Sequence, residues 1–150
     1  MIRHNKTYYS SFSPQQLFNL VIDIEKYPEF IPWCTKAKIL DTPEDNVRNA
    51  ELNATFAGIS EKYSSRVEST PPKKQNDNAE INTHIISGPF KHLHSKWSFQ
   101  YDKTLKKTRV DFYIEFEFSS KMIQLMIGKI FENASMKMLS AFEERAKKLY

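Results

Sequence analysis

The chain has 150 residues, 40% of them hydrophobic and 27% charged, with a formal net charge of +4. That is one domain's length, with enough apolar material for a substantial core. Three glycines are too few for a Gly-rich phosphate loop, and a single cysteine excludes an internal disulfide. No apolar run reaches the ~18–20 residues of a membrane span. The mild positive excess is compatible with an anionic membrane surface or RNA and singles out neither.

The first residues, IRHNKTYYS, are polar and strand-like, so no signal or transit peptide is expected. The chain then reads as a bacterial cytoplasmic protein or as one whose presequence has been removed. Residues 12–24, FSPQQLFNLVIDI, predict a helix. Ser13 is a suitable N-cap, Pro14 occupies the first helical position, and Gln16 completes a capping box. Leu17, Phe18, Leu20, Val21 and Ile24 form its apolar face, and Pro28 is expected to end any continuation. Residues 27–34, YPEFIPWC, follow: two prolines, three aromatic rings and the only cysteine.

From about residue 34 the period becomes two. Ala50, Leu52, Ala54 and Phe56 alternate with polar residues, as do Leu93, Trp97, Phe99 and Tyr101. The cleanest case is Val110, Phe112, Ile114, Phe116 and Phe118. Such alternation predicts strands with one buried and one wet face. Residues 42–46, 71–78 and 102–107 are polar turn material, so an antiparallel meander is the economical topology. SGPF (87–90) is a tighter break. Residues 120–150 predict a long terminal helix with a stripe through Ile123, Met126, Ile127, Ile130, Phe131, Ala134, Met138, Leu139, Phe142 and Leu149. Gly128 interrupts it, either for close packing against a strand or to leave room for a ligand. The expected class is α+β, one domain over 1–150, with a curved sheet gripping the terminal helix.

Catalytic constellations are sparse. His84, His92 and His94 invite a metal reading, but no cysteine or carboxylate joins them at ligand-like spacing, and exposed strand histidines explain them as well. Cys34 has no visible activator, which favours a packed side chain over a nucleophile. Glu115 and Glu117 fit a wet sheet face. Lys91, His92, His94, Lys96, Lys103, Lys106, Lys107 and Arg109 form a basic cluster on one hairpin, readable as solvated surface or as an RNA contact. The neighbouring aromatic residues share the buried face, so they are not the stacking platform of a single-strand binder. No catalytic residue, metal or cofactor is expected, and no DNA partner.

Three stretches together resemble one family: SPQQLFNLVIDIEKYPEFIPWC (13–34), GPFKHLHSKWSF (88–99) and FEFSSKMIQLMIGKIFENASMKMLSAFEERAKKLY (116–150). They are similar to the coenzyme-Q-binding START-domain proteins of the polyketide cyclase/dehydrase and lipid-transport superfamily. The resemblance implies a helix-grip fold with an apolar tunnel between sheet and terminal helix. It further implies non-catalytic binding of ubiquinone or a related polyprenyl lipid in support of respiratory electron transport. A related toxin branch binds the large ribosomal subunit and blocks subunit association, which is the alternative. On the lipid reading the ligand lies against Phe56, Leu93, Trp97, Phe112 and Ile114 of the sheet and Ile123, Met126, Ile127 and Ile130 of the helix. Tyr27, Phe30, Pro32, Trp33 and Phe90 form the entrance. The expected setting is the bacterial cytoplasm, with the inner-membrane surface and the large ribosomal subunit as candidate partners.

Overall fold

A computed structural model describes residues 1–150. Its sheet has seven antiparallel strands: β1 (Ile2–Ser10), β2 (Cys34–Glu44), β3 (Val47–Phe56), β4 (Ile59–Thr70), β5 (Ala79–Ser87), β6 (Phe90–Asp102) and β7 (Lys107–Phe118). The spatial order is β1-β7-β6-β5-β4-β3-β2, a six-stranded meander closed by β1 against β7. The expected period of two holds most strictly in β7, where every residue from Thr108 to Phe118 at an even position is buried. Two helices complete the fold, α1 (Pro14–Ile22) and α2 (Lys121–Leu149), and α2 packs along the inner face of the sheet.

The start of α1 follows its sequence signal. The Gln16 N–H donates to Ser13 Oγ at 3.2 Å, and the Ser13 N–H donates to Gln16 Oε1 at 3.0 Å, closing the capping box. Its end comes earlier than the apolar run predicts. The α-helix stops at Ile22, and residues Ile24–Glu29 form a 3₁₀ turn that contains Pro28. Two side chains satisfy the carbonyls left open at that end. Tyr27 Oη donates to the Val21 carbonyl at 2.5 Å, and Arg48 Nη1 donates to the Ile22 carbonyl at 3.3 Å.

Gly88 explains the break at SGPF. Its φ is +136°, and a Cβ there would lie 2.5 Å from Tyr63 Cβ, so only glycine lets β5 turn so close to β4. Gly128 is a close approach of helix to strand: an added Cβ would meet Gln124 Nε2 at 2.9 Å and Ile2 Cδ1 of β1 at 3.3 Å.

The buried stripe of α2 differs from the expected one. Ile127, Gly128, Phe131, Ser135, Leu139, Phe142 and Ala146 face the sheet. Met126, Ile130 and Leu149 are exposed, at 56%, 40% and 53%. Hydrophobic spacing alone drew too broad a face. Three small residues, Gly128, Ser135 and Ala146, lie on the true seam and allow the helix backbone close to the sheet.

Candidate functional site

Between the sheet and the two helices lies a cavity of about 100 Å³. Val21 and Ile24 wall one side together with Tyr27 of the 3₁₀ turn and Trp33 just beyond it. Ala50, Leu52, Tyr63, Val67, Ile81, Leu93, Trp97, Phe112 and Ile114 form its sheet wall, and Phe131, Ser135 and Met138 of α2 close it. A smaller void of about 10 Å³ lies between Ala54, Phe56, Ile59, Phe90, Phe118 and Ile127. Tyr63 and Phe131 line both, so these two rings partition the interior.

Of the residues expected to hold a ligand, Tyr27, Trp33, Leu93, Trp97, Phe112 and Ile114 line the larger cavity, and Phe56, Phe90 and Ile127 line the smaller one. Ile123 packs against the core outside both. Met126 and Ile130 face solvent, away from the sheet, because they lie about a third of a turn off the seam. Pro32 is exposed, and Phe30 packs instead on Phe142, with ring centroids 5.2 Å apart. YPEFIPWC therefore works in two halves. Tyr27 and Phe30 grip the last third of α2 through Phe142, while Trp33 stacks on Phe56 at 5.3 Å and, with Tyr27, forms cavity wall.

The cavity also contains polar groups that the period-two reading passes over. Ser65, Thr83 and Ser95 point inward from β4, β5 and β6, and Ser135 from α2. Each strand hydroxyl sits two residues from an inward apolar neighbour, as in Tyr63-Ser65-Val67 and Leu93-Ser95-Trp97, which is the signal that marks them. Some polar groups in the wall are already bonded. Ser135 Oγ donates to the Phe131 carbonyl at 2.9 Å, and Tyr27 Oη is bonded to Val21. Others are not: Ser65 Oγ and the indole Nε1 of Trp33 are buried without a partner. Burial pushes the Tyr27 and Tyr63 hydroxyls well above the usual phenol range, so both stay protonated. The lining has no Asp, Glu, His, Lys, Arg or Cys, so the chemistry it offers is hydrogen bonding and apolar contact around a neutral molecule.

Outside the cavity, Cys34 is buried, and burial pushes its thiol up to about 11. His92 and His94 flank Glu115 on the outer sheet face, at 3.7 and 3.4 Å, while the rings of His84 and His94 stack at 4.4 Å. Burial and the adjacent His94 ring hold His84 below the usual imidazole range. No group of three His, Cys, Asp or Glu side chains is placed to hold a metal ion.

A model of the polyketide cyclase/dehydrase and lipid transport family matches residues 10–143. The chain belongs to this family. Across 149 residues it is 40% identical to the ribosome association toxin RatA of Rickettsia prowazekii, covering 99% of both chains. The RatA of Escherichia coli K12 is 33% identical over 139 residues, covering 93% of this chain and 83% of the relative. A mitochondrial coenzyme Q-binding protein COQ10 homolog B from Xenopus laevis is 27% identical over 152 residues, covering 99% of this chain and 59% of the relative. Among solved structures, an 18 kDa protein of Caulobacter crescentus superposes with a TM-score of 0.74 at 34% identity, over 99% of this chain and 98% of that one. The Zhui aromatase/cyclase of Streptomyces superposes with a TM-score of 0.81 at 16% identity, over 98% and 94%, a likeness of fold alone. The helix-grip fold and the family membership expected from the three motifs are thus both found.

Proposed function

We propose that the protein is a ribosome-associating factor of the RatA type that acts by binding, through the large subunit, and not by catalysis. The observation that carries this reading is the 40% identity to a ribosome association toxin along practically the whole of both chains. The cavity supports it from the other side. At about 100 Å³ it is well below the ~300–1,000 Å³ of sites that enclose drug-sized ligands, so a whole polyprenyl quinone exceeds it. Sedimentation of a bacterial lysate with the protein added tests the reading. It should travel with large subunits at moderate salt and lower the fraction of joined ribosomes. Absence from the large-subunit fraction at every salt concentration sinks it.

One observation favours a second reading, lipid or quinone binding. The unpaired Ser65 Oγ and Trp33 Nε1, in a mainly apolar, ring-lined wall, can each hydrogen-bond a neutral head group. A soluble short-chain ubiquinone should then raise the melting temperature, and a failure to do so at saturating concentration removes this reading.

A further inference from the structure

Ion pairing divides the basic residues of the 91–109 hairpin. The basic cluster expected along residues 91–109 splits. Lys91 pairs with Glu117, Lys96 with Glu80 and Arg109 with Asp111 on the outer sheet face. Lys103, Lys106 and Lys107 form no ion pair, nor do Lys73 and Lys74. Topology brings these five lysines to one end of the sheet. Ala79 pairs with Phe99 and Asp102 with Lys107, so the 71–78 loop and the 103–106 turn leave neighbouring strands in the same direction. Two of the carboxylates there hold their own loops. Asp102 Oδ1 accepts the N–H groups of Thr104 and Leu105, both at 2.9 Å, and Asp77 Oδ2 accepts that of Lys74 at 3.0 Å.

Lys106 closes the 103–106 turn. Its φ is +56°, a left-handed conformation that glycine or asparagine adopts with less strain, and its N–H closes the turn on the Asp102 carbonyl at 2.8 Å. Glycine at this position would keep the turn and remove the charge. Neither loop contains an aromatic residue, so the two loops themselves carry cations and no base-stacking platform.

We propose that this loop end, carrying Lys73, Lys74, Lys103, Lys106 and Lys107, grips the phosphate backbone of ribosomal RNA without reading its sequence. The inference rests on the ribosome-association reading and names its contact face.

Binding of the full chain to purified large ribosomal subunits, measured by sedimentation across a potassium chloride series, tests it. Each lysine that neutralises a phosphate contributes about 0.7–0.9 to the slope of log affinity against log salt. The triple variant Lys103→Gln/Lys106→Gly/Lys107→Gln should lose about 2 units of slope and bind roughly tenfold more weakly at moderate salt. Lys36→Gln/Lys38→Gln, at the far end of the molecule, should leave both unchanged. Lys106→Gly alone separates function from structure: it should melt no lower than the wild type, yet lose about one lysine's share of slope. Wild-type binding with an unaltered triple variant overturns the proposed face and leaves ribosome association standing. An equal loss in the Lys36/Lys38 variant also overturns it. A wild type that binds at no salt concentration removes ribosome association itself, and this inference with it.

Discussion

Glu29 and Arg145 meet at 2.9 Å, joining the 3₁₀ turn that follows α1 to the last turns of α2, 116 residues further along the chain. The Arg145 guanidinium also lies over the Phe30 ring, 5.2 Å from its centroid. The hydrogen bond from Arg145 is the main cause holding the Glu29 carboxyl below the usual carboxylate range, and Lys26 adds to it. A carboxylate whose folded pKa is lowered contributes stability above its unfolded pKa and loses it as pH falls through the folded one. Glu29→Gln should therefore melt lower than the wild type at neutral pH, with the gap closing in acid. Because the carboxylate is solvent-exposed, added salt should narrow the gap too. A gap that is the same at every pH would show that the pair contributes nothing through charge.

Met126 and Ile127 are neighbours in sequence on opposite sides of α2's seam: Ile127 is 3% exposed, Met126 56%. Met126→Ala should change the unfolding free energy by no more than about 0.5 kcal/mol. Ile127→Ala removes buried methylenes and leaves a space beside Phe131, and should cost about 2–5 kcal/mol. Urea midpoints of the two variants read the difference directly. Equal costs would mean that α2 is rotated on the sheet.

This pair also marks how far the sequence could be read. A strand side chain has only two directions, so alternation over residues 110–118 was enough to assign the inward residues of β7 from Val110 to Phe118, though not Thr108. A helix spreads its side chains around a full circle, and an apolar residue beside the seam looks the same in sequence as one on it. Met126 and Ile130 were drawn into the site for that reason, while Gly128, Ser135 and Ala146, which set the approach distance, carry no hydrophobic signal. The end of α1 was hidden differently. The Tyr27-to-Val21 hydrogen bond at that end comes from the 3₁₀ turn over residues 24–29, which apolar spacing does not reveal. Of the cavity wall, the apolar part on β3, β6 and β7 was legible from alternation, while Tyr63, Val67 and Ile81 of β4 and β5 lie in strands that the alternation reading does not reach. Ser65, Thr83 and Ser95 were legible in principle, from hydroxyls set between inward apolar neighbours.

Gly88→Ala tests the GP break. The new Cβ must occupy a point 2.5 Å from Tyr63 Cβ and 3.0 Å from its Cα, at a φ that L side chains rarely adopt. Neither atom can move without shifting β4, so the cost should reach about 2–4 kcal/mol by urea unfolding. The damage should include the cavity, because Tyr63 is part of its wall. A variant as stable as the wild type would show that β5 and β4 are further apart than described.

Cys34 should behave as a buried, inert thiol. Its Sγ lies 3.6 Å from the Lys36 carbonyl, a weak contact that does not offset the effect of burial. With the thiol at about 11, only about one molecule in a thousand carries the thiolate at pH 8. An aromatic disulfide reagent should label the folded protein slowly and the denatured protein at once, and the folded rate should rise about tenfold per pH unit below pH 11. Rapid labelling at neutral pH would reveal an activating cation near the sulfur and reopen a chemical role for this residue.

Ser65 sets stability against binding. Its hydroxyl is buried, 5% exposed as a residue, and has no partner. Leaving such a group unpaired costs roughly 1–3 kcal/mol, so Ser65→Ala should be neutral or stabilising by about 1 kcal/mol. Ser95→Ala, two strands away on the same wall, serves as a comparison, since Ser95 Oγ is not among the unpartnered buried atoms. If a neutral molecule with a hydrogen-bonding oxygen occupies the cavity, Ser65→Ala should also weaken its uptake. Paired thermal shifts with p-cresol and toluene, which differ by one hydroxyl, read that loss: the wild type should favour p-cresol and the variant should not. A stabilised variant that keeps the wild-type preference would assign the Ser65 hydroxyl no part in recognition.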